Sequence, residues 1–97
     1  MCLSNLANSY RMIGQYEEAV KYYKRLLQDQ PDHFLGHAGL TATYYEMDRL
    51  EEARAQAAEV LRVDPKFSLE RYSTTLRYKN PADKKRYIDT LRKAGLK

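Results

Sequence analysis

The chain is 97 residues long, enough for one modest core and too short for a two-lobed enzyme with a cleft between domains. Hydrophobic residues make up 43% and charged residues 31%, a globular balance that excludes a disordered or collagen-like chain. A net charge of +4 conceals an asymmetry: residues 1–65 balance to −3 and residues 66–97 to +7. The start, Met1-Cys2-Leu3-Ser4-Asn5, lacks the basic and apolar regions of a signal peptide, and no apolar run approaches a membrane span. One cysteine excludes an internal disulfide framework and a multi-cysteine zinc site. A cytoplasmic protein is expected.

In chain order, Leu3, Leu6, Ala7 and Tyr10 stand at i, i+3, i+4 and i+7, one apolar stripe of an α-helix. Gly14-Gln15 breaks the pattern, and Gly14 suits the backbone angles of a helix end. Ala19, Tyr23, Leu26 and Leu27 form the next stripe, which Pro31 closes. The series then recurs. Leu40 and Tyr44, with His37 a turn before, form a third stripe, and Ala53, Ala57, Val60 and Leu61 a fourth. Asp48 stands at the turn between them, and Pro65 closes the unit.

The recurrence has a fixed period. Leu6 and Leu40, Tyr10 and Tyr44, Glu17 and Glu51, Glu18 and Glu52, Ala19 and Ala53, Leu27 and Leu61, and Pro31 and Pro65 are each 34 apart. Each unit is expected to be two helices of about 12–14 residues joined by a tight turn. The small Ala19 and Ala53 would let the second helix approach the first closely, with Tyr10 and Tyr44 filling the space beside them.

After Pro65, Leu69, Tyr72, Ser73 and Leu76 continue a helical stripe, and Tyr78 falls 34 residues after Tyr44. Asn80 is a good N-cap, Pro81 fits the first helical position, and Asp83 suits the positive end of the helix dipole. Tyr87, Ile88 and Leu91 make the last stripe. Gly95-Leu96 has the form of a Schellman ending. This predicts helices over about 67–78 and 81–94 that cover the open edge of the second repeat.

The period, Leu6-Ala7-x-x-Tyr10, Ala19, Tyr23 and Pro31, and again Leu40-Thr41-x-x-Tyr44, Ala53, Ala57 and Pro65, resemble the tetratricopeptide repeat signature. Leu3 and His37 stand where that family often has Trp. The resemblance implies an all-α fold, a right-handed array of helical hairpins. It would comprise one domain over 1–97, with repeat 1 about 1–33, repeat 2 about 34–66 and a C-terminal capping helix pair. The run from Asp64-Pro65-x-Phe67-Ser68 through Tyr78-Lys79-Asn80-Pro81-Ala82-Asp83 to Lys93-Ala94-Gly95-Leu96 also resembles the ending of bacterial class III adenylate cyclases and related regulators. That likeness implies the last, regulatory piece of a longer bacterial signalling protein, with any cyclase chemistry outside these residues.

Catalysis is not expected, nor a cofactor, nor a metal. His33 and His37 have ligand spacing but no accompanying ligands, and they read as a surface and a packing histidine. Cys2 has no fixed base beside it, and Glu17-Glu18 and Glu51-Glu52 open second helices as dipole partners rather than as a catalytic dyad. Tyr10, Tyr23, Tyr44 and Tyr87 are expected in the core, and Tyr16, Tyr22 and Tyr45 partly exposed.

Stacked hairpins curve, and their first helices line the concave face on which such arrays bind. The positions left over from the packing stripes are Ser4, Asn5, Asn8, Arg11 and Met12, then Leu35, Ala38, Gly39, Ala42, Tyr45 and Glu46, with Tyr72 and Ser73 continuing the surface. Asn5 and Asn8 suit a peptide backbone, Arg11 a carboxylate, and Met12 and Tyr45 adaptable apolar contact. The basic clamp that some tetratricopeptide domains use for acidic chaperone tails is absent, because Ser4 and Gly39 replace its Lys and Asn. Ala38, Gly39 and Ala42 make a flat face that would admit a helix or another subunit at close range. The expected role is a protein–protein interaction module for a peptide or partner helix. Two alternatives stand beside it. One is a homodimer that buries the apolar first-helix edge. The other is contact of basic residues 77–93 with nucleic acid or membrane, which no recognised nucleic-acid motif accompanies.

Overall fold

A computed structural model describes residues 3–76 and 80–97. Cys2, Tyr78 and Lys79, along with the expected end of the fifth helix near residue 78, lie outside the described residues. Six helices follow in order: α1 (Leu3–Met12), α2 (Tyr16–Asp29), α3 (Phe34–Glu46), α4 (Leu50–Val63), α5 (Leu69–Thr75) and α6 (Pro81–Lys93). The fold is all-α, an array of helical hairpins in which α1 pairs with α2 and α3 with α4.

The hairpin turns share one geometry. Gly14 has φ +83°, with its N–H bonded to Arg11 O at 3.1 Å and the Gln15 N–H to Tyr10 O at 2.9 Å. Asp48, 34 residues on, has φ +61° and makes the same pair of bonds to Tyr45 O and, through Arg49 N–H, to Tyr44 O. Both are Schellman endings, which satisfy helix carbonyls that would otherwise lack a partner. The end of α6 is a third, with Leu96 N–H on Leu91 O at 3.1 Å.

The centre of the molecule is α3, where every residue from Gly36 to Tyr44 is buried. A helix buried all round has a neighbour on each face. On one side Leu40 and Tyr44 share a core with Val20 and Tyr23 of α2, and on the other Ala38 and Ala42 join a second core with α4, α5 and α6. A Cβ at Gly39 would clash with the outer end of the Tyr23 ring, so any larger residue would push that ring aside. The hydroxyls of Thr41 and Thr43, buried in the same helix, bond back to the carbonyls of His37 and Gly39 at 2.8 and 2.7 Å. His37 is the packing histidine expected: its ring nitrogens lie 2.7 Å from Pro31 O and 2.8 Å from Gln56 Oε1, joining the first hairpin to the second.

The capping pair follows the second repeat. It begins at Leu69 rather than Phe67, because Ser68 takes the N-cap and accepts the Arg71 N–H. Helix α5 does cover the second repeat, with Leu69 and Tyr72 packed into the core of Ala57 and Val60. Helix α6 packs on α5 and on α3, the first helix of the same repeat. Asn80 caps it through Ala82 N–H at 2.9 Å, as the sequence indicated. Several positions of the apolar stripes are also more exposed than expected, among them Leu3, Leu6 and Tyr10, which are half-buried, and Leu61, which is 43% exposed. For Tyr10 the reason is that no described helix stacks on the outer side of α1.

Candidate partner-binding site

The face of α1 and α3 read as a concave groove holds α6. Tyr87, Ile88 and Leu91 are buried in one core with Ala38, Ala42 and Tyr72. The absence of bulk at Ala38 and Ala42 lets a helix lie close, as the flat face implied; the helix that does so belongs to the same chain. The Arg11 guanidinium stacks 4.3 Å from the centre of the Tyr87 ring, and its Nε donates to Tyr23 Oη at 3.3 Å. Tyr23 Oη in turn donates to Asn8 Oδ1. Glu46 accepts from Arg86 at 3.1 Å and from the Thr90 hydroxyl at 3.0 Å, and Arg86 also reaches Tyr16 Oη.

Each expected site residue can now be placed. Arg11, Ala38, Ala42, Glu46 and Tyr72 come together, but around α6 rather than around open solvent. Asn8 is occupied by Tyr23. Gly39 faces α2 instead of the groove, because the helical turn that aims Ala38 and Ala42 at α6 aims position 39 at the Tyr23 ring. Ser4 is buried, and Tyr45 is half-buried against the first core. Asn5, Met12 and Leu35 remain exposed. Leu35 borders a separate shallow cleft of about 320 Å³ with Phe34, Phe67, Arg71 and Tyr72.

Beside α6 runs a seam of about 40 Å³ lined by Arg11, Met12, Tyr16, Glu46, Asp83 and Arg86, among others. Tyr87 also lines it. Burial first, and the Tyr72 hydroxyl at 3.1 Å second, push the Tyr87 phenol well above its usual range, with Arg11 opposing. The hydrogen bond from Arg86 to Glu46 raises the Arg86 guanidinium further and keeps it charged. Among the described residues no group of three or more His, Cys, Asp or Glu side chains is placed to hold a metal ion. No helix among them is long and apolar enough to cross a membrane.

The hairpin stack, its period of 34 and its shared turn geometry agree with a family-model match described as tetratricopeptide repeat, over residues 13–76. The chain belongs to the tetratricopeptide repeat family. No curated protein matches it. The match begins at the first hairpin turn and ends after α5, so it takes in the second tetratricopeptide repeat whole and leaves α6 outside.

The residues missed by sequence reasoning are those that fasten α6. Arg86, Thr90 and Tyr16 carried no motif, although Tyr87, Ile88 and Leu91 did announce a helix with one apolar face to bury. The stripe shows that a partner surface is required, and says nothing of which one.

Proposed function

We propose that the chain is a non-catalytic protein–protein interaction module that recognises an amphipathic helix on the face formed by α1 and α3. The observation that carries this reading is the seating of α6, whose Tyr87, Ile88 and Leu91 fill that face while Glu46 takes a basic and a hydroxyl side chain at its rim. A partner of the same chemistry is a helix with aromatic and aliphatic anchors at i, i+1 and i+4 and a basic residue just before them.

Magnitudes set the terms of competition. Burial of Tyr87, Ile88, Leu91 and Leu96 contributes roughly 6–12 kcal/mol at about 1.5–3 kcal/mol each, an upper range. A micromolar ligand brings about 8 kcal/mol. A partner helix therefore needs an intrinsic affinity in the micromolar range or better to compete with α6, and enters most readily where α6 is loosened.

The test uses Leu91→Ala, which removes a fully buried side chain from α6. A synthetic peptide of residues 80–97 added to this variant is expected to shift the amide resonances of Ala38, Ala42 and Glu46, and to leave the unaltered chain unmoved. Silence of those amides in Leu91→Ala, with the repeats still folded, sinks the reading.

The setting is drawn more broadly. The tail's likeness to cyclase endings is the support for a cytoplasmic place at the regulatory end of a bacterial signalling protein. Asn80, Pro81, Gly95 and Leu96, which carry much of that likeness, also serve as N-cap, first helical residue and Schellman ending here. Sequencing of the encoding gene on both sides of these residues tests the setting.

A further inference from the structure

No described helix covers the outer edge of α1, whereas its counterpart in the second repeat lies under α2. Leu3, Leu6, Tyr10 and Ile13 lie at i, i+3, i+7 and i+10, along one side of the helix. The first three are half-buried, and Ile13 is 71% exposed. In the second repeat Leu40 and Tyr44 are 1% and 3% exposed under α2. The edge extends onto α2 through Tyr22, whose ring stacks on Tyr10 at 5.5 Å with the planes 3° apart.

Two observations say what fits there. Arg11 is the sole charged residue of α1, and its guanidinium is turned inward to Tyr23 and Tyr87, so the outer edge of α1 carries no charge to repel an identical edge. On α2 the exposed Glu18 and Arg25 flank Tyr22 at i−4 and i+3, on the same side of the helix. An antiparallel copy centred between Lys21, whose ammonium lies 5.6 Å over its own Tyr22 ring, and Tyr22 sets Glu18 against Arg25 twice, once on each side of the axis. The opposite end of the stack is closed, since Ala57 and Val60 lie buried with Leu69 and Tyr72. Copies therefore cannot stack head to tail through those faces.

We infer that this edge pairs with a second copy of the chain, in a two-fold dimer with α1 against α1 and Glu18 against Arg25. The inference rests on the reading of the chain as an interaction module, but uses a different face from the one that holds α6.

Sedimentation equilibrium of the 97-residue chain over a hundredfold concentration range tests it. The unaltered chain is expected to dimerise. Ile13→Asp, at an exposed turn position, raises the dissociation constant about tenfold or more while circular dichroism stays the same. Glu18→Arg and Arg25→Glu each raise it about threefold, and the double reversal restores it. A monomer at every concentration overturns the inference and leaves the edge to a foreign helix. A dimer indifferent to Ile13→Asp, or charge reversals that do not compensate, overturns it equally. None of these outcomes bears on peptide binding by Leu91→Ala, so the two readings fail separately.

Discussion

The two tetratricopeptide repeats carry the same residues at Leu6 and Leu40 and at Tyr10 and Tyr44, yet only the second pair is buried. Their local structure is the same down to the turn hydrogen bonds. What differs is the neighbour: α2 stacks on α3, and no described helix stacks on the outer side of α1. A repeat motif thus encodes an interface, and position in the stack decides whether that interface is filled. The sharpest way to break the equivalence is truncation. Leu40→Ala is expected to cost about 2–5 kcal/mol in denaturant unfolding, whereas Leu6→Ala, already half open to water, costs the monomer less than half as much. Equal losses would mean that α1 is covered in solution.

The next contrast is between Gly39 and Asn5, also 34 apart. Gly39 lies against Tyr23 of the preceding hairpin, and Asn5 is exposed. Gly39→Ala gains helix propensity of up to about 1 kcal/mol but forces the Tyr23 ring aside and breaks its hydrogen bond to Asn8. A net loss of about 1–3 kcal/mol in urea unfolding is expected. Asn5→Ala keeps only the propensity gain and is neutral or slightly stabilising, by up to about 0.7 kcal/mol.

Gly39 also marks where the sequence was legible and where it was not. The period, the two hairpins, the turns at Gly14 and Asp48 and the Asn80 cap are local signals, each fixed by a few neighbouring residues, and they were readable. The small residues of α3 were readable as a close-approach surface. Their division was not: Ala38 and Ala42 face α6 while Gly39 faces α2, and both assignments obey the same helical spacing. The return of α6 onto α3 is a long-range choice, fastened by Arg86 and Thr90 on Glu46, residues 40 and 44 positions apart. Nothing in the local pattern of α6 names that surface among the others the stack offers. Of the expected groove residues, Arg11, Ala38, Ala42, Glu46 and Tyr72 meet around α6, and the others lie elsewhere.

Burial of α6 has a titration signature at Tyr87. The folded-state value of Tyr87 lies above the ordinary 10.0 of the unfolded chain. Below that unfolded value both states hold the proton and the stability is fully present. Above it the unfolded chain ionises first, so stability falls as pH rises towards the folded value, by about 1.4 kcal/mol per pH unit while the difference lasts. Tyr87→Phe is expected to flatten this alkaline limb in urea melts taken above pH 10. An unchanged slope would place the alkaline loss elsewhere, among the lysines.

The smallest contrast lies at the hairpin turns. Gly14 and Asp48 occupy equivalent positions with φ +83° and +61°, so the backbone demands the same left-handed conformation from a glycine and from an aspartate. Aspartate tolerates that region better than most residues but still carries a Cβ there. Gly14→Ala should cost about 1 kcal/mol, since nothing lies within 4 Å of the added carbon and only backbone strain opposes it. Asp48→Gly should run the other way. It relieves up to about 1 kcal/mol of strain, and part of that gain is lost because the unfolded chain becomes freer. A net gain of a few tenths of a kcal/mol, read as a small rise in the urea midpoint at constant slope, is the expected result. If Asp48→Gly instead destabilises, the aspartate side chain contributes to the turn in a way its repeat partner Gly14 cannot, and the two hairpins are less alike than their backbones.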